Sequence, residues 1–256
     1  MRDPYLYSDC DVLKNKMDIK DAPLLDIAEV EYSCNAIHEL AHTPLPGDYS
    51  FAHLCEMHHY IFQDLYDWAG IPRTVPMEKA EAVLGYMSIE YAQPNEIKKE
   101  AEAVLDRMNN REWDNMTISE QAGFLAQDMA DLWKVHCFRE GNTRTTVTFV
   151  CQFADEHNMP IDRGLFENHS AYTRNALVAA SAIFKEADFR KTEYLIKIIK
   201  DGLERAASQR EKLDQPRQRN LSDWKRQISG EREKQQKQDR EPSKTQERKN
   251  QKLNDR

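Results

Sequence analysis

Apolar residues recur every three or four positions through most of the first 206 residues, and this spacing is typical of amphipathic α-helices. The 256-residue chain contains only 8 glycines, which leaves few sites for sharp turns. Helices are predicted over about 23–41, 50–70, 95–108, 117–136, 143–157, 171–186 and 189–206. The expected fold class is therefore mostly α.

One stretch, residues 71–91, loses the helical period. Within it, 75–77 and 85–89 have the composition of two short strands separated by a turn. The sequence therefore predicts a single small β-hairpin in an otherwise helical chain.

The charge of the chain is unevenly distributed. Residues 1–200 hold 20 Lys and Arg against 33 Asp and Glu, whereas residues 201–256 have a net charge of +5. From about residue 207 large apolar side chains become rare, so the segment cannot bury enough surface to order itself. We expect a domain at 1–206 and a charged, disordered or partly helical tail at 207–256. Acidic residues interleave with the basic ones of the tail, which does not favour nucleic-acid binding.

The N-terminal segment, the apolar runs and the cysteines indicate the cellular compartment of the protein. The start, MRDPYLYSDCD, lacks the basic and apolar regions of a signal peptide, and no run approaches the roughly 20 apolar residues of a membrane span. The five cysteines are scattered and never form CxxC pairs. A cytoplasmic protein with no membrane segment is expected.

The most informative stretch is HCFREGNTRT at 136–145, which connects the helices predicted at 117–136 and 143–157. Gly141 and Asn142 both tolerate left-handed backbone, so the chain can turn sharply there. Such a turn presents backbone N–H groups to an anion, and the start of the next helix adds the positive end of its dipole. Arg144 and the Asn142 amide can donate to phosphate oxygens. The stretch therefore predicts a phosphate site.

Two further groups of this stretch indicate catalysis. Glu140 beside a phosphate requires a cation between them, and Mg²⁺ typically binds one or two carboxylates together with phosphate oxygens. His136 titrates near pH 6.5 when unperturbed and can act as a general base. Phe138 is expected to hold the loop to the core and Arg139 to face solvent. Phosphoryl-type transfer requires mainly positioning and charge neutralisation, which these groups supply.

A competing motif is HELAH at 38–42, an HExxH pattern. On a helix His38 and His42 share one face and can bind zinc, with Glu39 as the base of a hydrolase. The residues that follow HELAH do not match the longer motif of zinc proteases, and Pro44 ends the helix. This alternative requires a third ligand from elsewhere in the chain.

The stretch at 136–145 resembles the signature of the Fic (Fido) family, written HxFx(D/E)GNGRxxR. YSDCDVLKNK at 7–16 is similar to the N-terminal entry of that family, and IFQDLYDWAGIPRTV at 61–75 is similar to the helix and arginine before its flap. The predicted helix–loop–helix at 117–157 resembles its centre. The resemblance covers about residues 5–205.

The resemblance implies a Fic-type helical bundle with a β-hairpin flap at about 75–89, and transfer of AMP from Mg-ATP to a Tyr, Ser or Thr hydroxyl of a target protein. His136 would take the proton of that hydroxyl, and Glu140 would hold Mg²⁺. The nucleotide phosphates would lie on the following turn, which contains Gly141, Asn142, Thr143 and Arg144. The flap would bind the target segment by strand addition.

Two positions depart from the signature at 136–147. Thr143 replaces its second glycine, and Val147 replaces its second arginine. AMP transfer is the leading expectation. Fic-type transfer of another group, such as a different nucleotide, phosphate or phosphocholine, is the first alternative. A catalytically impaired binding module is the alternative of a different class.

Many Fic proteins are inhibited by an (S/T)xxxE(G/N) helix in the same chain or in a small antitoxin. No segment of this chain completes that motif. Val147 also removes the arginine that the inhibitory glutamate would contact. In-chain inhibition of this kind is therefore not expected, whereas a separate small antitoxin is left open.

Overall fold

The computed structural model describes residues 2–185 and 187–240, and the chain separates into two compact units, Met1–Ala206 and Ala207–Arg256. The α-helices, numbered α1 to α8 in chain order, are Ala22–His42, Phe51–Phe62, Ile97–Asn109, Ile118–Val135, Asn142–Glu156, Gly164–Asn168, Ser170–Ala180 and Glu193–Arg240. Two short antiparallel strands, β1 (Ile183–Phe184) and β2 (Ala187–Asp188), form a hairpin. The mostly α fold class is confirmed.

Side-chain caps fix the starts of α1 and α4. The Asp21 carboxylate accepts a hydrogen bond from the Leu24 N–H at 2.9 Å and caps α1. Thr117 caps α4, and Glu120 returns a hydrogen bond to the Thr117 N–H at 2.8 Å, which completes a capping box. These caps explain why the predicted bounds of α1 and α4 agree closely with the structure.

Helices α4 and α5 form the centre of the first unit. Their buried faces include Met129 and Trp133 on α4 and Phe149 and Phe153 on α5. Helices α2 and α3 pack against this pair, and α1 packs on α2. Burial of each large apolar side chain contributes roughly 1.5–3 kcal/mol. The loop between α4 and α5 is thereby held between well-packed elements.

The flap predicted at 75–89 does not form the two strands expected. It contains one isolated antiparallel bridge, between Glu81 and Met87, on either side of the 3₁₀ turn Ala82–Leu84. Pro76 lacks an N–H group for a strand ladder, and Gly85 ends the turn at φ 62°. We keep the name flap for residues 75–89.

Three other predictions were wrong in part. Helix α2 ends at Phe62 rather than near Gly70, and α7 ends at Ala180 rather than at residue 186. At the latter point the chain reverses into β1 and β2, and the Ser181 hydroxyl donates to the Ala130 carbonyl at 3.1 Å. The apolar spacing of the predicted helix at 117–136 also places Phe124 in the core, but this side chain is 43% exposed.

Helix α8 continues to Arg240, so helix extends well into the segment predicted as a tail. The rest of that prediction, at 241–256, lies outside the described residues. In the part of the chain that the structure describes, no helix is both long and apolar enough to cross a membrane.

Candidate active site

The loop between α4 and α5 has left-handed backbone at both ends. His136 caps the end of α4 at φ 53°, and its carbonyl oxygen accepts a hydrogen bond from Arg73 Nε at 2.8 Å. Gly141 is the N-cap of α5 and has φ 81°. A Cβ atom on Gly141 would lie 2.3 Å from the ring of Phe62, so the close approach of the loop to α2 also requires glycine.

The imidazole of His136 is buried in an aromatic setting. Its ring stacks on Tyr91 with centroids 4.0 Å apart, and Trp133 meets it edge-on. Within the described residues neither ring nitrogen has a hydrogen-bond partner. Burial, together with the positive charges of Lys79 and Arg73, holds the pKa of His136 well below its usual value. The lowered pKa favours the neutral imidazole, which is the form that can accept a proton.

Glu140 is the carboxylate closest to that base in sequence, and the structure keeps it ionised. Its Oε2 lies 3.3 Å from Lys79 Nζ, and its Oε1 accepts from the Gly141 N–H at 3.0 Å. Burial raises the pKa of Glu140, but the Lys79 ammonium and the Gly141 N–H more than offset that effect, so the net pKa is lowered. Lys79 therefore supplies the positive charge next to this carboxylate.

The next two side chains turn back into the protein. The Asn142 amide clamps the loop, because its Oδ1 accepts from the Phe138 N–H at 2.9 Å and its Nδ2 donates to the Phe138 carbonyl at 2.7 Å. Asn142 also lines the cavity described below, and its contact with a phosphate stays a prediction. The Thr143 hydroxyl accepts from Trp133 Nε1 at 2.9 Å. The N–H groups of the first turn of α5 remain as the donors for an anion.

Arg144 points along the same turn toward α1. Its guanidinium forms an ion pair with Glu29 and donates to the Ser33 hydroxyl at 2.8 Å. It also lies over the Phe62 ring, 4.9 Å from the centroid. The contact with Glu29 had no signal in the sequence, since the two residues are 115 positions apart.

The prediction for Phe138 is confirmed, whereas the prediction for Arg139 is wrong in part. Phe138 is buried and stacks on His58 with centroids 3.8 Å apart, which confirms that it holds the loop to the core. Arg139 does not simply face solvent. Its Nε donates to the Asp3 carboxylate at 2.8 Å and so joins the loop to the N-terminal segment.

His58 supports the loop from below. Its Nδ1 accepts from the Gly70 N–H at 2.8 Å, so Nε2 carries the proton and donates to the Glu140 carbonyl at 3.1 Å. Burial is the main reason that the pKa of His58 is lowered to about 3.

The low pKa of His58 predicts a pH-dependent stability. The unfolded chain binds a proton on this histidine below about pH 6.5, whereas the folded chain does not until about pH 3. The free energy of unfolding should fall as pH decreases through that window, by on the order of 1 kcal/mol per pH unit for this residue. Urea unfolding of the protein and of His58→Gln between pH 7 and 5 measures the difference. An unchanged pH dependence in the variant would contradict the assignment.

Above the loop lies a cavity of about 830 Å³, within the usual size range of small-molecule sites. It is lined among others by Lys79, His136, Glu140, Arg144, Val147 and Arg174. The predicted base, the predicted metal carboxylate and the anion-binding turn therefore meet at one cavity.

A sequence model described as the Fic/DOC family matches residues 48–154. The probable protein adenylyltransferase y4lH of Sinorhizobium fredii is 30% identical over 170 residues, which cover 65% of this chain and 83% of y4lH. The chain belongs to the Fic/DOC family. Protein adenylyltransferase VbhT of Bartonella schoenbuchensis is 32% identical over 161 residues. That match covers 62% of this chain but spans only about a third of the length of VbhT.

Solved Fic structures share the fold. The BepC effector protein of Bartonella tribocorum, solved with bound AMPPNP, superimposes with a TM-score of 0.64 at 23% identity. The match covers 77% of this chain and 95% of the BepC chain. At this identity the likeness establishes the Fic architecture, which agrees with the fold that the sequence predicts.

Three residues that sequence reasoning missed complete the Fic cavity. Lys79 reaches Glu140 from the flap, Arg174 reaches the cavity from α7, and Glu29 reaches Arg144 from α1. Each belongs to an element distant in sequence from the loop. No local pattern marks them, because their roles arise only when the elements pack together.

The HELAH motif contributes His38 to the lining of the cavity. The Glu39 carboxylate accepts from the Tyr60 hydroxyl at 3.0 Å, and His42 Nδ1 contacts the His38 carbonyl. Among residues 2–185 and 187–240 no three His, Cys, Asp or Glu side chains group together as a metal site. The zinc-hydrolase alternative therefore finds no third ligand in the described chain.

Proposed function

We propose that this Fic protein is a protein adenylyltransferase, which transfers AMP from Mg-ATP to a hydroxyl group of a target protein with His136 as the general base. The observation that supports it most is the buried imidazole of His136, whose nitrogens have no hydrogen-bond partner among the described residues, at the cavity that Glu140 also lines. The names of two relatives support the same reaction, since VbhT is named a protein adenylyltransferase and y4lH a probable protein adenylyltransferase.

The residues present fit a magnesium–phosphate group. The pKa of Glu140 is lowered, and its charge is balanced by Lys79 at 3.3 Å, which supports a cation at this position. One carboxylate together with phosphate oxygens is a usual ligand set for Mg²⁺. Bound there, Mg²⁺ would neutralise charge on the nucleotide phosphates. The N–H groups at the start of α5 would bind the phosphate oxygens, with Gly141 keeping that turn open.

The proposed reaction is a direct displacement at the α-phosphorus of ATP. The target hydroxyl transfers its proton to a ring nitrogen of His136, and its oxygen forms a new bond to the α-phosphorus. The bond from the α-phosphorus to the bridging oxygen breaks, and pyrophosphate leaves with that electron pair. The lowered pKa of His136 keeps its imidazole in the neutral form, which is the form that can accept a proton, although burial also makes it a weaker base.

Thr143 and Val147 bear on which group is transferred. The Thr143 hydroxyl is bonded to Trp133, so this side chain need not obstruct the anion-binding turn. Val147 lines the cavity with an apolar side chain where the family signature has arginine. That substitution is the observation that favours the second candidate function, Fic-type transfer of a group other than AMP.

The mass of the modified target peptide tests the transferred group directly. After incubation of the protein with Mg-ATP and a cell extract, we expect peptides that carry AMP on a Tyr, Ser or Thr oxygen. Peptides that carry phosphate alone, or no modified peptide in comparison with an incubation lacking the protein, would contradict AMP transfer.

The target segment is proposed to bind along the flap. Three large apolar side chains of the flap are solvent-exposed, namely Val83 at 46%, Tyr86 at 75% and Met87 at 54%. The single bridge of the flap leaves backbone groups available for pairing with an added strand. Apolar contact and strand addition together suit an extended peptide that carries the acceptor hydroxyl.

Replacing Tyr86 by alanine is expected to lower labelling of the target roughly tenfold, the loss typical of an aromatic contact at an interface. ATP affinity should be unchanged, because Tyr86 is not among the cavity-lining residues. Label incorporation and ATP titration measure the two effects. The matched control is Tyr194→Ala, which removes a tyrosine that is 46% exposed on α8. Equal labelling by the Tyr86→Ala variant and the unaltered protein would exclude this docking surface.

A further inference from the structure

We propose that Lys79 binds ATP, the donor of the transferred group. Its ammonium group, which is on the flap, contacts the β- and γ-phosphates, which are not transferred. The inference rests on the proposed function, since it takes ATP as the donor and Glu140 as the metal carboxylate. It adds a phosphate-binding residue that lies outside the signature at 136–147.

The position of Lys79 is well defined. Its Nζ lies 3.3 Å from Glu140 Oε2, and the side chains of this pair are only 28% and 30% exposed. Its backbone N–H donates to the Ser88 hydroxyl at 3.0 Å, across the flap. The lysine is therefore directed into the cavity rather than into solvent.

The flap that carries Lys79 is itself anchored. Glu81, two residues further on, is 3% exposed and accepts hydrogen bonds from both terminal nitrogens of Arg174, at 2.7 and 2.9 Å. A forked pair of this kind fixes both distance and orientation. Because the anchor is adjacent to Lys79, the lysine should keep its place at the cavity when its partner changes.

Lys79 differs from the other cationic side chains that line the cavity in the carboxylate with which it pairs. Among the described lysines and arginines lining the cavity, Arg174 is engaged by the buried Glu81, and Arg144 is engaged by Glu29. Lys79 instead pairs with Glu140, the carboxylate assigned to the metal. A magnesium ion at Glu140 would compete with the ammonium for the same oxygens. Released from Glu140, the ammonium would find phosphate oxygens as the nearest strong acceptors.

Lys79 also supplies a positive charge to the cavity that Val147 cannot supply. The family signature has arginine at that position, and the valine contributes no charge to the cavity. An ammonium group is a compact cation with three donors and suits phosphate oxygens. We therefore place the missing positive charge on the flap.

Calorimetric titration with ATP and with AMP, both in excess Mg²⁺, tests the inference. In the Lys79→Met variant ATP should bind about tenfold to a hundredfold more weakly, as expected for loss of a hydrogen bond to a charged group. AMP should bind with unchanged affinity, because it lacks the further phosphates. Lys79→Arg should retain most of the ATP affinity.

The matched control is Lys99→Met, because Lys99 Nζ also lies 3.3 Å from a glutamate oxygen but on the exposed surface of α3. ATP binding to Lys79→Met that equals binding to the unaltered protein would overturn the inference, as would an equal loss for ATP and AMP. Absence of ATP binding by the unaltered protein would overturn it together with the proposed donor. Normal ATP binding without any transfer to a target would contradict only the proposed function.

Discussion

Replacing His136 by alanine should reduce transfer to the target by about 10²–10⁴-fold, the usual contribution of a general base. The imidazole is the proton acceptor assigned at the cavity, and neither of its nitrogens is engaged by the described residues. ATP binding should persist, because the anion-binding turn and Glu140 are unchanged. Label retained by the target and calorimetric titration with ATP measure the two quantities.

His157→Ala is the matched control for that variant. The ring of His157 stacks on Phe153 with centroids 3.9 Å apart, much as His136 stacks on Tyr91 at 4.0 Å, but His157 lies at the far end of α5. It should transfer label at the rate of the unaltered protein. Full transfer by His136→Ala would remove the assigned base, and an equal loss in both variants would indicate structural damage.

The pH profile of the rate tests the same base independently. The neutral imidazole is the active form, and the pKa of His136 is held well below its usual value by burial and by Lys79 and Arg73. The acidic limb of the profile should therefore lie below the ordinary histidine pKa of about 6.5. A limb centred at or above that value would contradict a buried, neutral base.

The second large effect is expected at Arg73. This arginine is 1% exposed and donates to three main-chain carbonyl oxygens, those of His136 at 2.8 Å, Val75 at 2.7 Å and Ala92. Methionine at this position would leave buried acceptors without donors, at about 1–3 kcal/mol each. We expect Arg73→Met to lower the free energy of unfolding by roughly 3 kcal/mol or more.

Urea unfolding measures the effect, with Arg190→Met as the control. The Arg190 guanidinium pairs with the Asp188 carboxylate at 2.7 Å in a solvent-exposed setting. Such a pair contributes at most about 1 kcal/mol. A loss at Arg73 no larger than the loss at Arg190 would show that the three carbonyl contacts do not stabilise the fold. Because one of them fixes the His136 backbone, transfer should also fall in any Arg73→Met protein that remains folded.

The loop residues could be predicted from the sequence because their arrangement is local. His136, Glu140 and Gly141 lie within six consecutive residues between two strongly periodic helices, so spacing alone brings them together. Lys79 lies 61 positions from Glu140, and Glu29 lies 115 positions from Arg144. Those contacts depend on how α1 and the flap pack on the loop, which no local pattern encodes.

The errors in the fold have similar causes. The flap was expected to pair as a hairpin, but Glu81 is drawn inward to Arg174 and leaves one bridge in place of a ladder. Helix α7 was expected to run to residue 186, but it ends at Ala180, where the Ser181 hydroxyl donates to the Ala130 carbonyl. In each instance a long-range or buried polar contact outweighs the local preference.

The most direct test of the account is a comparison of ATP labelled at the α-phosphate with ATP labelled at the γ-phosphate, using the unaltered protein, Mg²⁺ and a cell extract. We predict that target proteins retain the α-label and not the γ-label, and that His136→Ala lowers retention by about 10²–10⁴-fold. Retention of the γ-label alone would indicate phosphate transfer, and retention of neither label would indicate another donor or an inactive binding module. Either result would contradict AMP transfer by this Fic protein.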